Sequence, residues 1–136
     1  MLKRISRNER GQVLLMFVIL LPVIFGAVGF AVDVGFVAVN RRDLQNAADA
    51  AALAAVQELP DAGEALDLAY EYAEKNGFVD GLDGVTVSVT TSYGGDAEKV
   101  EVTITRSVPT VFMSVVGVSE TDVGARAVAS RQASAA

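Results

Sequence analysis

Three places in the chain carry residues of a kind that could do chemistry. Asp33 closes a run, Gln12 to Val32, that holds no charged residue. A carboxylate at mid-bilayer depth is costly, and one that persists there is a functional candidate. A helix starting near Gln12 reaches Asp33 after roughly 30 Å, however, which is the thickness of the hydrocarbon core. The expectation is therefore an Asp33 at the outer interface, solvated by lipid headgroups. Asp80-Gly81-Leu82-Asp83-Gly84 has the acidic content of a calcium loop. It lacks the alternating ligand order and terminal Glu of an EF-hand, and Asp-Gly pairs are turn formers first. A turn is expected there. Asn46 and Asp49 stand one helical turn apart in an alanine-rich segment, as candidate polar contacts between helices.

The composition narrows the chemistry further. The chain has neither cysteine nor histidine, so the commonest general base and the usual zinc ligands are missing. No nucleophile-and-base pair, phosphate loop or carboxylate dyad stands out. The reading is a protein with no enzymatic activity, no cofactor and no metal. The formal net charge of −6 argues against nucleic acid, which demands a basic surface.

The uncharged run is long enough to cross a bilayer and longer than the apolar core of a secretory signal, which spans about 7–15 residues. Four basic residues, Lys3, Arg4, Arg7 and Arg10, stand before it against Glu9. Seven basic and 16 acidic residues remain after Gly11, a net of −9. Basic flanks stay cytoplasmic, which predicts a single-pass protein with its N-terminus inside and its C-terminal domain outside. Alanine-rich sequence without a breaker carries the helix on to about Glu58, with Pro22 tolerated inside the apolar stretch and Pro60 closing it.

Asp61 and Glu64 have capping-box spacing for a second helix, with Leu66, Ala69, Tyr70 and Ala73 as its apolar stripe and Gly77 as its C-cap. The period then changes to two. Val85, Val87 and Val89 predict a strand, Tyr93–Asp96 a turn, and Val100, Val102 and Ile104 its hairpin partner. A short apolar helix bracketed by Pro109 and Gly117 follows. A third strand runs from about Thr121 to Ala129, with Ala125, Ala127 and Ala129 facing inward. The fold class is α+β, a long helix and a second helix before a three-stranded antiparallel sheet. The divisions are a basic leader (1–11), a transmembrane and juxtamembrane helix (12–59), an extracytoplasmic α+β domain (60–130) and a tail (131–136).

Small residues mark two candidate packing surfaces. Ala27, Ala31 and Gly35 recur every four residues, the spacing that lets membrane helices approach closely. Arg41 to Ala55, which includes Leu44, Ala48, Ala51 and Ala55, is too short-chained for a deep core yet too apolar to be wholly solvated. It suits close helix-to-helix contact or an alanine-rich helix lying on the sheet, and the two can hold on different faces.

Taken together, Arg10-Gly11-Gln12-Val13, Leu20-Leu21-Pro22, Ala31-Val32-Asp33-Val34-Gly35 and Leu44-Gln45-Asn46-Ala47-Ala48-Asp49-Ala50-Ala51-Ala52-Leu53-Ala54 resemble the TadE/TadG-like pilus-assembly proteins of the tight-adherence (Flp) pilus system. Val108 to Gly117, followed by a strand, is similar to the family's C-terminal pattern. The resemblance implies a pilin-like domain and a pseudopilin-like subunit or assembly factor in the bacterial cytoplasmic (inner) membrane. Its implied partners are other pilus or pseudopilin subunits, the assembly platform, the lipid bilayer and a prepilin peptidase. The alternative is a membrane-anchored, adhesin-like binding module that uses the Tyr93–Asp96 loop. Pilin-like members are cut after the glycine that ends the leader, here Gly11. Pilins carry Glu at the fifth mature position, where this chain has Met16, so the TadG-like side of the family is the better fit. Processing, where it occurs, leaves Gln12 as the first residue, and mass spectrometry of the isolated protein reads it directly.

Overall fold

The structure, a computed structural model, describes residues 9–131, with side chains from residue 11 onward. Most of the basic leader and nearly all of the tail lie outside the described residues. Helix α1 (Glu9–Glu58) is a single helix of 50 residues. At ~1.5 Å per residue it is about 75 Å long, more than twice the ~30 Å hydrocarbon core. Pro22 lies inside α1 without ending it. It leaves the Val18 carbonyl without its helical partner, and the helix continues through it.

The two halves of α1 obey different rules. From Val13 to Val28 its side chains are exposed all round. Beyond the midpoint a single stripe is buried: Leu44, Ala47, Ala48, Ala51, Ala52, Ala55 and Val56. Those positions recur at three- and four-residue intervals and so fall on one face. What covers them is the chain itself. The core takes in this half of α1 together with residues 60–130, so the helix is part of the domain rather than a stalk beneath it.

Helix α2 (Ala62–Lys75) begins at Asp61, whose Oδ1 accepts from the N–H groups of Gly63 (3.0 Å) and Glu64 (3.1 Å). The reciprocal arm of a capping box does not form, because the Asp61 N–H donates to the Glu58 carbonyl instead. At the other end Gly77 adopts φ +88°, the Phe78 N–H reaches the Ala73 carbonyl and the Gly77 N–H reaches that of Glu74. This is a Schellman stop, with glycine where a left-handed residue is needed. It turns Phe78 into the core.

The buried face of α2 is Ala65, Ala69 and Ala73. The expected stripe through Leu66 and Tyr70 is therefore rotated by one position. Leu66 is half-buried and Tyr70 exposed. Alanines on both helices allow close approach, and the longer side chains flank that line instead of occupying it.

The sheet has the order β1-β2-β3, all antiparallel, with strands β1 (Val85–Thr91), β2 (Lys99–Pro109) and β3 (Glu120–Ser130). Its register aligns Val87, Ile104 and Ala125 in one row, and Val89, Val102 and Ala127 in the next. Side chains thus shrink towards β3. Helix α1 lies over β2 and β3, and α2 over β1, forming two layers with one core between them. The other face of the sheet is polar, with an Arg126–Glu101 ion pair at 3.1 Å. Gln45 ties α1 to β3 by donating to the Arg126 carbonyl at 3.1 Å.

Ala48 and Ala51 are wholly buried within the chain. Bulk at these two positions therefore acts on the fold of the chain itself. Forcing a ring into a filled site typically costs about 1–3 kcal/mol. We expect Ala48→Phe and Ala51→Phe to destabilise the isolated protein by at least that much in urea unfolding monitored in detergent. Gln57→Ala, at an exposed position, should stay within about 0.5 kcal/mol of the parent.

Candidate functional site

At the end of β2 the chain leaves the sheet in an apolar loop that returns to α1. Thr110 closes the base of this loop. Its N–H donates to the Ser119 carbonyl at 2.9 Å and its hydroxyl to the Val118 carbonyl. The next three residues start a 3₁₀ turn (Met113–Val116) and so present N–H groups with no partner in helix or strand. All three find Asp33. The Val111 N–H donates to Asp33 Oδ1 at 3.0 Å, and those of Phe112 and Met113 to Oδ2 at 2.9 and 2.7 Å.

Each side solves the other's problem. Asp33 is 3 % exposed, and a buried carboxylate is tolerated when it is hydrogen-bonded on both oxygens. Three backbone donors turned in against the helix need an acceptor there. Charge-assisted bonds to a carboxylate are the strong kind, and the start of a helical turn favours a negative group. Asp33 is therefore not solvated by headgroups, as its place at the end of the uncharged run suggests. It is a latch for the β2–β3 loop.

One turn earlier, Gly29 is the buried residue of its neighbourhood. A Cβ built there would overlap the Phe112 ring. Its φ is not positive, so the glycine supplies room rather than an unusual backbone. The latch thus has a polar half at Asp33 and an apolar half where Phe112 covers the bare backbone of Gly29. Sequence reasoning missed Gly29, Thr110 and the partners of Asp33.

The other expected residues divide clearly. Leu44, Ala48, Ala51 and Ala55 belong to the core, whereas Asn46 and Asp49 are exposed. Asp49 Oδ1 accepts from Gln45 at 2.9 Å, a contact within α1 rather than between helices. Ala27, Ala31 and Gly35 are exposed, with open space around Gly35. They lie two residues from Gly29 and Asp33, or roughly 200° around the helix at ~100° per residue. The small stripe and the latch occupy opposite sides. Gly11 and Gln12 sit in the first turn of α1.

Asp80 Oδ1 accepts from the Val87 N–H at 2.8 Å, and the Gly81 N–H reaches the Val85 carbonyl, so this acidic segment is a turn that opens β1. In the Tyr93–Asp96 loop, Arg126 lies over the Tyr93 ring at 5.6 Å. The Glu98 N–H and the Lys99 ammonium hold the Asp96 carboxyl below the usual carboxylate range.

A helix long and apolar enough to span a membrane is built without a break into the core of a small α+β domain, which defines a helix-led α+β protein. The relation to known proteins is more specific. The chain matches the TadE/G-like Flp pilus-assembly family over residues 11–58 and the Tad-like Flp pilus-assembly family over residues 38–129. It belongs to the Tad-like Flp pilus-assembly family. No curated protein and no solved structure matches it.

Removing the carboxylate tests the latch. Asp33→Ala leaves three donors unpaired, at a cost of roughly 1–3 kcal/mol for each that stays buried. We expect faster amide exchange at Val111, Phe112 and Met113 in hydrogen–deuterium exchange, with the core strands unchanged. Gly29→Leu should release the same amides by displacing Phe112, even with Asp33 intact.

Proposed function

We propose that the chain is a non-enzymatic, membrane-anchored, pseudopilin-like component of Flp pilus assembly. It crosses the bacterial cytoplasmic membrane once, with its N-terminus on the cytoplasmic side and its α+β domain on the outer side. The observation that carries this reading is the division of α1. The half beyond Leu44 is committed to the domain's core, whereas among the described residues the apolar half before the latch is left exposed. Together with membership of a pilus-assembly family, that division supports a helix free to contact lipid on some sides and other pilus subunits on another.

Ala27, Ala31 and Gly35 are the positions we assign to subunit contact. Helices in lipid gain little by burying apolar surface, so close packing across small residues is what brings them together. These residues are exposed, and enlarging them leaves the domain's core untouched. The alanines from Ala47 to Ala55 have the opposite character, since the chain uses them itself.

Ala31→Leu and Gly35→Leu are expected to reduce co-purification with pilus subunits, and piliation with it, while the domain stays protease-resistant. Unchanged complexes and piliation would remove the assigned contact face. Orientation is read separately in this cysteine-free chain. Ser92→Cys should react with an impermeant thiol reagent applied from outside, and Ser6→Cys should not. The reverse pattern would overturn the proposed topology.

A further inference from the structure

The three most exposed large apolar side chains among the described residues are Val115 (85 %), Val116 (79 %) and Val111 (68 %). All three belong to the β2–β3 loop, and none belongs to the membrane-length half of α1. No charged residue stands between Arg106 and Glu120. Surface apolar residues scattered singly need no explanation, but a cluster at the tip of one uncharged loop does.

The position of the tip supplies one. A groove of about 370 Å³ runs between this loop and α1, lined by Phe25, Gly26 and Phe30 on the helix and by Phe112, Val115 and Val116 on the loop. The helix residues lie inside the uncharged run, on the membrane side of Asp33. Phe25 is eight residues before Asp33, about 12 Å along the axis at ~1.5 Å per residue. If the run Gln12–Val32 fills the hydrocarbon core, the loop tip stands beside its outer end. The latch at Asp33 holds it there.

We propose that the β2–β3 loop is a second membrane contact, with Val111, Val115 and Val116 inserted among the acyl chains of the outer leaflet and lipid filling the groove beside Phe25 and Phe30. This rests on the reading of α1 as a membrane span. Continuity decides the occupant. The groove opens onto the same face and the same depth that lipid already surrounds on α1, and its walls offer no charge or patterned polar group for a protein partner to recognise. The Asp33 bonds acquire a further purpose in this setting. They satisfy the backbone of the one loop that leaves the aqueous phase, where irregular backbone is tolerated only when its polar groups are met by protein.

The test uses the full chain in vesicles of phosphatidylethanolamine and phosphatidylglycerol. Single cysteines carry an environment-sensitive fluorophore at Val18→Cys, Ser92→Cys or Val115→Cys, and Val116→Cys provides a second position at the tip. We expect the probe at 115 or 116 to shift to the blue. It should lose emission to nitroxides placed near the headgroup end of the lipid chains and be protected from aqueous iodide. The probe at 18 should respond to nitroxides placed deeper, and the probe at 92 to iodide alone. If 18 responds to lipid but 115 and 116 are quenched by iodide as 92 is, the loop contact is wrong and the span stands. If 18 does not respond to lipid, the span itself fails and the proposal with it. A probe at 115 shielded from both quenchers and cross-linking to a second copy means that protein fills the groove, which also overturns the proposal.

Discussion

A carboxylate on a helix and three backbone amides on a loop would each be expensive alone in apolar surroundings, and the arrangement at Asp33 removes both costs in one contact. The loop can leave the sheet because Asp33 receives it. The helix can carry a charge at the end of its longest apolar stretch because the loop covers that charge. Gly29 and Phe112 complete the fit. Without this contact α1 and the sheet would still share a core, but its fully buried part begins only at Leu44, with Val37 packed at its edge, and the latch is what carries the domain further towards the N-terminal half of the helix.

The second constraint is that one helix carries two kinds of surface. In its first half, apolar residues on every side are of the kind that suits lipid, and small residues, Ala27 and Ala31 among them, break that uniformity. In its second half, one stripe of alanines specifies a partner through closeness rather than size. Alanine against alanine gives little buried area per residue, so the stabilisation comes from many contacts at short range. The sheet is shaped for the same approach, since its residues shrink from valine and isoleucine in β1 and β2 to alanine in β3, where α1 crosses.

Features encoded by neighbouring residues were legible in the sequence. The continuity of α1, the Asp61 cap, the glycine stop at Gly77, the alternation of all three strands and the inward alanines of β3 each depend on a few adjacent positions. The buried face of α2 was read one position off, because its choice between Ala65 and Leu66 depends on how close α1 comes, which no local pattern contains. The latch was invisible for a plainer reason. Its donors are backbone N–H groups, which every residue but proline possesses, so no residue type announces them. Gly29 could not be singled out from other small residues in the helix until Phe112 was placed over it.

The partners in the latch are separated by 78 to 80 residues along the chain. Asp33 is synthesised long before the loop that covers it. During that interval its carboxylate lacks the three donors that cover it in the finished protein. Local structure forms sooner than contacts that close a long loop. Helix α1 and the hairpin of β1 and β2 are therefore early events, whereas the latch waits for the turn beyond β2. With α1 spanning a membrane as proposed, fixing the domain's position against it becomes one of the last steps of maturation, and a chain halted before residue 111 would leave the Asp33 carboxylate uncovered.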